Sequence, residues 1–242
     1  MPAIDCHVHH GQWPFPVRHQ TFEDLEDLLR QFAIERACVA SSLAIAGDLA
    51  AGNQALADAI ESRPFFLGMA TINANSPEQS HEEMRKHLSR RNFCGVNLDA
   101  AFHSQPLNSA AFHGLVKALL RFDKPLLVHV RGRQDLDGLA ETAAAFPSQK
   151  IILADIGGGE WPAFVEVAAR LTNVALACGG SDADRDRIKE AVDAAGQRRV
   201  MLGSGCPLVH PAYALGMVRD SSIAAAMKDR VLYRNAKEVF KI

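Results

Sequence analysis

Ile4-Asp5-Cys6-His7-Val8-His9-His10, followed by Gly11-Gln12-Trp13, is the stretch on which the fold turns. Its apolar and polar residues alternate, so residues 3–8 read as a strand, and in a strand side chains two apart share a face. Asp5, His7 and His9 are therefore expected to point the same way. Two imidazoles at that spacing reach one metal ion without bending the backbone, whereas a helix would need a spacing of three or four. A buried imidazole needs a partner for each ring nitrogen. Three histidines and an acid within six residues thus point to a metal or catalytic site and away from core packing. The residues after the strand matter as much. An open doubly wound sheet usually places a glycine-rich phosphate loop there, and this chain places histidines and Trp13.

Seven more apolar runs follow, at residues 37–42, 65–72, 94–98, 126–130, 151–156, 174–177 and 200–203. Continuous apolar runs of this length suit parallel strands buried on both faces. Helical patterns separate them. Thr21-Phe22-Glu23-Asp24 is a capping box ahead of Leu25, Leu28, Leu29 and Phe32. Further helices are expected at 53–61, 78–89, from Leu107 through Leu120, at 135–145, 161–171 and 184–195, and as a closing pair at 213–227 and 229–240. Gly157-Gly158-Gly159 lacks a following Lys or Ser/Thr and reads as a strand-to-helix turn. Strands alternating with helices give a parallel sheet. Eight such units in 242 residues predict a closed (β/α)8 TIM-like barrel, one domain over residues 1–242.

Composition narrows the function class. Hydrophobic content of 48% and charged content of 22% are ordinary globular values and argue against disorder. A net charge of -2 without a basic stripe speaks against nucleic acid and anionic membranes. No apolar run has membrane-spanning length, and the opening lacks the succession of a signal peptide. Cys6, Cys38, Cys94, Cys178 and Cys206 are odd in number, far apart and without Cys-x-x-Cys spacing, so reduced thiols in a cytoplasmic protein are expected. The expected partner is a small molecule; a homo-oligomer is compatible with the sequence, which does not address it.

In such a barrel, chemistry collects where strands end at the carboxyl face. Those ends carry His7 and His9, then Asn97 or Asp99, His129, Asp155, and Ser204 or Cys206. Polar residues capping apolar runs are what a site needs and a core avoids. His129 carries most weight, since it shares the barrel with the His7/His9 pair. Arg131 and Arg133 follow strand five, and an arginine fork suits a carboxylate substrate. His103, after strand four, is placed to contact substrate. Short loops favour a compact pocket and a small, carboxylated molecule.

Taken in order, Asp5-Cys6-His7-Val8-His9, Phe93 to Leu98, Lys124 to His129, Lys150 to Gly158, Val200 to Pro207 and Tyr233-Arg234-Asn235-Ala236 resemble the motifs of the amidohydrolase-related (amidohydrolase 2) family of the metal-dependent amidohydrolase superfamily. The resemblance implies a barrel enzyme with His7, His9 and His129 around one divalent ion. Zinc suits imidazole donors, with Asp155 as a carboxylate ligand. Two departures stand out. The family usually has His where this chain has Asp155. It usually has an acid, its proton acceptor, where Gly203-Ser204-Gly205-Cys206-Pro207 has Gly205.

Three readings follow, in this order. The first is a metal-dependent hydrolase of an amide, ester or lactone, whose ion lowers the pKa of bound water to about 7. Asp155 would be its base and Asp99 the substitute. The second is a metal-independent lactonase or decarboxylase-like enzyme in which His7, His9 and His129 polarise a substrate carbonyl or carboxylate with help from Arg131 or Arg133. The third is a barrel that has lost its strand-eight acid and only binds a ligand.

Overall fold

The computed structural model describes residues 1–18, 20–155, 160–180 and 184–242. Among them, β1 (Ala3–His10), β2 (Ile34–Ser41), β3 (Phe66–Thr71), β4 (Phe93–Asp99), β5 (Leu126–His129), β6 (Ile151–Leu153), β7 (Val174–Cys178) and β8 (Val200–Leu202) pair in sequence order. All seven ladders are parallel. Helices follow every strand. The first half carries α1 (Phe22–Gln31), α2 (Ser42–Ala46), α3 (Leu49–Ala59), α4 (Pro77–His87), α5 (Ala100–His103) and α6 (Ala110–Leu119). The second half carries α7 (Arg133–Ala145), α8 (Trp161–Arg170), α9 (Arg185–Ala195), α10 (Pro211–Asp220), α11 (Ala225–Asp229) and α12 (Asn235–Phe240). This is the expected (β/α)8 TIM-like barrel. The glycine turn at 157–159 lies outside the described residues.

Local chemistry explains where boundaries move. The capping box at Thr21 and Asp24 is present. The helix expected from Leu107 starts at Ala110, because Ser109 Oγ accepts the amide of Phe112 and makes Ser109 the cap. The helix expected from Asn53 starts four residues earlier, capped by Asp48. The long helix expected over 213–227 breaks at Ser221, whose backbone is extended and whose hydroxyl donates back to Val218 O. The short α2 and α5 follow β2 and β4 directly and interrupt no apolar run, so periodicity gives no sign of them.

Two apolar layers bracket the sheet. Ile4, Cys6, Cys38, Leu67, Met69, Cys94, Leu127, Ile152, Ala175 and Met201 fill the barrel, while Ala3, Val8, Val39, Phe66, Val96, Val128 and Leu176 face the helices. All five cysteines are buried free thiols. The first strand departs from strict alternation. A register shift between Asp5 and Val8 re-aims the chain, so inward Ile4 and Cys6 are followed by inward His7 and His9, with Val8 outward. Asp5 therefore does not share the histidines' face, which corrects the reading from simple alternation.

The last gap in the barrel, between β8 and β1, has no ladder like the other seven. It is closed by one bridge between Val8 and Cys206, by His9 N donating to Cys206 O at 2.7 Å and by Gly205 N donating to His7 O at 2.9 Å. Asp5 adds a buried clamp. Its Oδ1 accepts from Ser204 N at 2.9 Å and His7 N at 3.1 Å, and its Oδ2 accepts from Ser204 Oγ at 2.5 Å.

Candidate metal centre

The clamp and the bulge of β1 deliver two imidazoles to the carboxyl mouth of the barrel, and β5 delivers a third. His7, His9 and His129 are all buried. Their ring centroids lie 4.6 Å (His7–His9), 4.4 Å (His7–His129) and 5.6 Å (His9–His129) apart. One ring nitrogen from each falls within 4.8 Å of the other two. Gly203 permits this closeness: a Cβ there would come within 3.0 Å of His7 Cβ and 2.9 Å of Ala177 Cβ.

The nitrogens are unevenly satisfied. His7 Nε2 and His9 Nε2 face each other at 2.8 Å, while His7 Nδ1, His9 Nδ1 and His129 Nε2 are buried without an aligned hydrogen-bond partner. Buried polar atoms are seldom left so, and three converging imidazoles are a suitable donor set for a divalent ion. His7, His9 and His129 therefore fit one. Asp155, two residues past β6, faces the same group, with Oδ1 3.2 Å from His7 Nδ1 and Oδ2 3.1 Å from His129 Nδ1.

Electrostatics follow from burial and proximity. Burial, reinforced by His7 and His129, pushes the His9 pKa well below the usual imidazole value. At His129 burial also acts downward, but the hydrogen bond and charge of Asp155, with the charge of Asp99, outweigh it and raise the pKa. Burial would raise Asp155, yet His7 and His129 hold its carboxyl well below the carboxylate range.

The other expected residues are spread more widely. Asp99 is buried, pairs in register with His129 and accepts the amide of Phe102. His103 is buried and its Nε2 meets Ile45 O at 3.1 Å. The Arg131 guanidinium is held by both oxygens of Asp135 and by Ser104. Arg133 pairs with Asp137. Both arginines line a cavity of about 630 Å³ with Leu107, Asn108 and Glu141, a lining that does not include His7, His9 or His129 among the described residues. Ser204 serves the Asp5 clamp, and Cys206 is a buried thiol pushed by burial up to about 12.

Sequence reasoning passed over three aromatic residues. The Trp13 ring meets His9 edge-on at 5.2 Å, with Phe15 at 5.3 Å and Phe102 at 5.6 Å from Trp13. Trp13 is 6% exposed, Phe15 42% and Phe102 39%. These rings form a shelf beside the histidines, drawn from the segments after β1 and β4. The signal was present in Trp13-Pro14-Phe15, but its pairing with Phe102 was not. Asn97, fully buried on β4, has both amide atoms unpartnered, as has the hydroxyl of its register neighbour Thr71.

The amidohydrolase (amidohydrolase 2) family model matches residues 4–242. The chain belongs to this family. Among curated proteins no sequence matches it. Solved structures do match. The 2,6-dihydroxybenzoate decarboxylase from Rhizobium is 15% identical, with 99% of this chain and 98% of that one covered at a TM-score of 0.79. The 5-carboxyvanillate decarboxylase from Sphingomonas paucimobilis is 13% identical, with 100% and 99% covered at 0.83. A dihydroxybenzoic acid decarboxylase from Polaromonas sp. JS666, solved with manganese and 2-nitroresorcinol, is 14% identical, with 99% and 97% covered at 0.82. At such identities the likeness shows a shared fold.

Proposed function

We propose that this amidohydrolase-family barrel is a metal-dependent decarboxylase of a small hydroxylated aromatic carboxylic acid. The observation that carries the reading is the shelf of Trp13, Phe15 and Phe102, whose Trp13 ring meets His9 edge-on beside the three-imidazole cluster. An aromatic face next to a cation site suits a flat ring bearing an anionic group. The structural neighbours include decarboxylases of dihydroxybenzoate and carboxyvanillate, and one of them holds manganese, which supports the same substrate class and a divalent ion here.

His7, His9 and His129 would hold the ion, which supplies positive charge to orient and neutralise the substrate's oxygens. The shelf positions the ring. The bond from the ring carbon to the carboxylate breaks, carbon dioxide leaves, and the electron pair takes up a proton at that carbon. Asp99, inward-facing beside His129, is the acid assigned to deliver it. Hydrolysis of an ester, amide or lactone would use the same ligands. It requires a base free to take a proton from water, and both oxygens of Asp155 already face histidine nitrogens. Asp99 is equally placed to be that base, so the choice of decarboxylation rests on the aromatic shelf.

The deciding experiment loads the purified protein with Mn²⁺ and offers 2,6-dihydroxybenzoate, 5-carboxyvanillate, simple esters and small lactones. Expected is carbon dioxide release from the aromatic acids alone, lost on exhaustive chelation and in His129→Ala. Ester or lactone cleavage without decarboxylation would return the assignment to hydrolysis. Turnover unchanged by chelation would remove the metal from it.

A further inference from the structure

Asp155 stands where two imidazoles and a glycine meet, and the use of its two oxygens decides its role. Oδ1 lies 3.2 Å from Nδ1 of His7, and Oδ2 lies 3.1 Å from Nδ1 of His129. An ionised carboxylate only accepts hydrogen bonds, so the contact with His129 puts the ring proton on the facing Nδ1; His7 Nδ1 makes no aligned hydrogen bond, but the carboxylate 3.2 Å away favours a proton there too. A neutral imidazole carries one such proton, and with it on Nδ1 the lone pair is left on Nε2. On His7 that Nε2 is the atom turned toward His9, and on His129 it is buried without a partner.

The wall behind Asp155 is Gly205. Its φ is +74°, and a Cβ there would stand 3.3 Å from Asp155 Oδ1, 3.7 Å from His7 Cε1 and 3.8 Å from His7 Nδ1. The Gly205 amide donates to His7 O, so this backbone is tied to the strand it faces. A Cβ at 205 would press on the carboxylate by a few tenths of an ångström while touching the His7 ring only at ordinary contact distance, and a longer side chain would compete for the carboxylate's space. The same small volume thus holds either a side chain from the end of strand eight or the acid from strand six.

We infer that Asp155 is a positioning residue, a bridging acceptor that fixes His7 and His129 with Nε2 aimed at the ion, and that Gly205 is the residue that makes room for it. The inference rests on the metal-centre reading and takes the place of the expectation that Asp155 is itself a ligand. The donor set is then three neutral imidazoles, and a divalent ion keeps its full charge for the substrate. Partners of this kind fix tautomer and ring orientation, and their loss typically lowers metal affinity about 10–100-fold.

The test combines two measurements. Long-range ¹H–¹⁵N spectra of the metal-free protein report the tautomer of each histidine, and competition with a chelator reports Mn²⁺ affinity and stoichiometry. Expected are Nδ1-protonated His7 and His129 in the wild type and mixed tautomers in Asp155→Ala and Gly205→Ala. Mn²⁺ affinity falls about 10–100-fold in both variants at unchanged stoichiometry. The double variant binds Mn²⁺ no more weakly than Asp155→Ala alone, because both changes remove one contact. Nε2-protonated rings in the wild type, or spectra indifferent to Asp155→Ala, would overturn the inference. So would an Asp155→Ala variant that takes up no ion at all, as expected of a true ligand such as His9. If the spectra behave as described but the wild type takes up no Mn²⁺, the positioning role stands and the metal reading fails.

Discussion

Replacing Asp5 by Ala removes the clamp across the one gap in the barrel that has no ladder. Three donors lose their acceptor together: Ser204 N, Ser204 Oγ and His7 N. All are buried, and each orphaned donor costs about 1–3 kcal/mol. Because the three share one carboxylate their costs do not simply add, and a total of about 3–5 kcal/mol is expected, the range for breaking a buried charged contact. For a chain of this size that lowers the melting temperature by roughly 6–20 °C. Asp5→Asn should cost less, about 1–2 kcal/mol, since it keeps one acceptor oxygen and removes a charge. Burial already disfavours that charge and raises the Asp5 pKa, against the opposing bonds from Ser204 and His7. Ser204→Ala, combined with Asp5→Ala in a double-mutant cycle, should reveal a coupling of about 1–3 kcal/mol. Urea unfolding followed by circular dichroism measures the wild type and all four variants. A cost under about 1 kcal/mol for Asp5→Ala, or an absent coupling, would refute the idea that this clamp closes the barrel.

Phe102→Leu trims the exposed edge of the aromatic shelf and should raise KM for an aromatic acid about 2–12-fold with kcat little changed, matching the worth of one aromatic pair; steady-state kinetics on the decarboxylated substrate would show it. Asp99→Asn should cut kcat with KM retained if Asp99 delivers the proton, by about 10²–10⁴-fold, and a normal kcat would reassign that step. Stability should also carry a pH signature from His87, which is buried against Glu83. Burial, with Arg90 and Lys86, lowers its pKa to about 4. The unfolded chain takes up that proton near pH 6.5, so stability present above pH 6.5 is lost as pH falls to 4, by at most about 3 kcal/mol. The upward shift of buried Glu83 acts in the opposite sense and trims the loss. Denaturant unfolding at pH 7 and 4.5 should show a smaller difference for His87→Gln than for wild type.

The barrel was legible because a parallel strand buried on both faces writes itself as a plain apolar run, and the runs ending on His129 and Asp155 could be placed without knowing any partner. The site's ends were legible for the same reason: His7, His9, His129 and Asp155 do meet. What stayed hidden depends on tertiary accommodation. The bulge in β1 turns His7 and His9 inward while Asp5 turns to Ser204, and no periodicity announces a one-residue shift. The Trp13–Phe102 contact joins segments almost ninety residues apart in the chain. The Arg131–Asp135 pair was readable from its spacing of four, and it shows the guanidinium engaged within its own loop and helix.

The thiols lining and flanking the barrel have a practical consequence. Cys6, Cys38 and Cys94 sit inside it, Cys178 faces the helices and Cys206 lies in the β8–β1 seam. Burial holds the Cys178 and Cys206 thiols above their ordinary acidity range, and only a thiolate in contact with solvent reacts readily. A thiol reagent therefore meets nothing in the closed barrel and reads each cysteine only as its strand opens. Labelling order, followed by mass spectrometry, would show whether the seam at Cys206 parts before the interior at Cys38 and Cys94, so the chain carries its own clock for how the barrel comes undone.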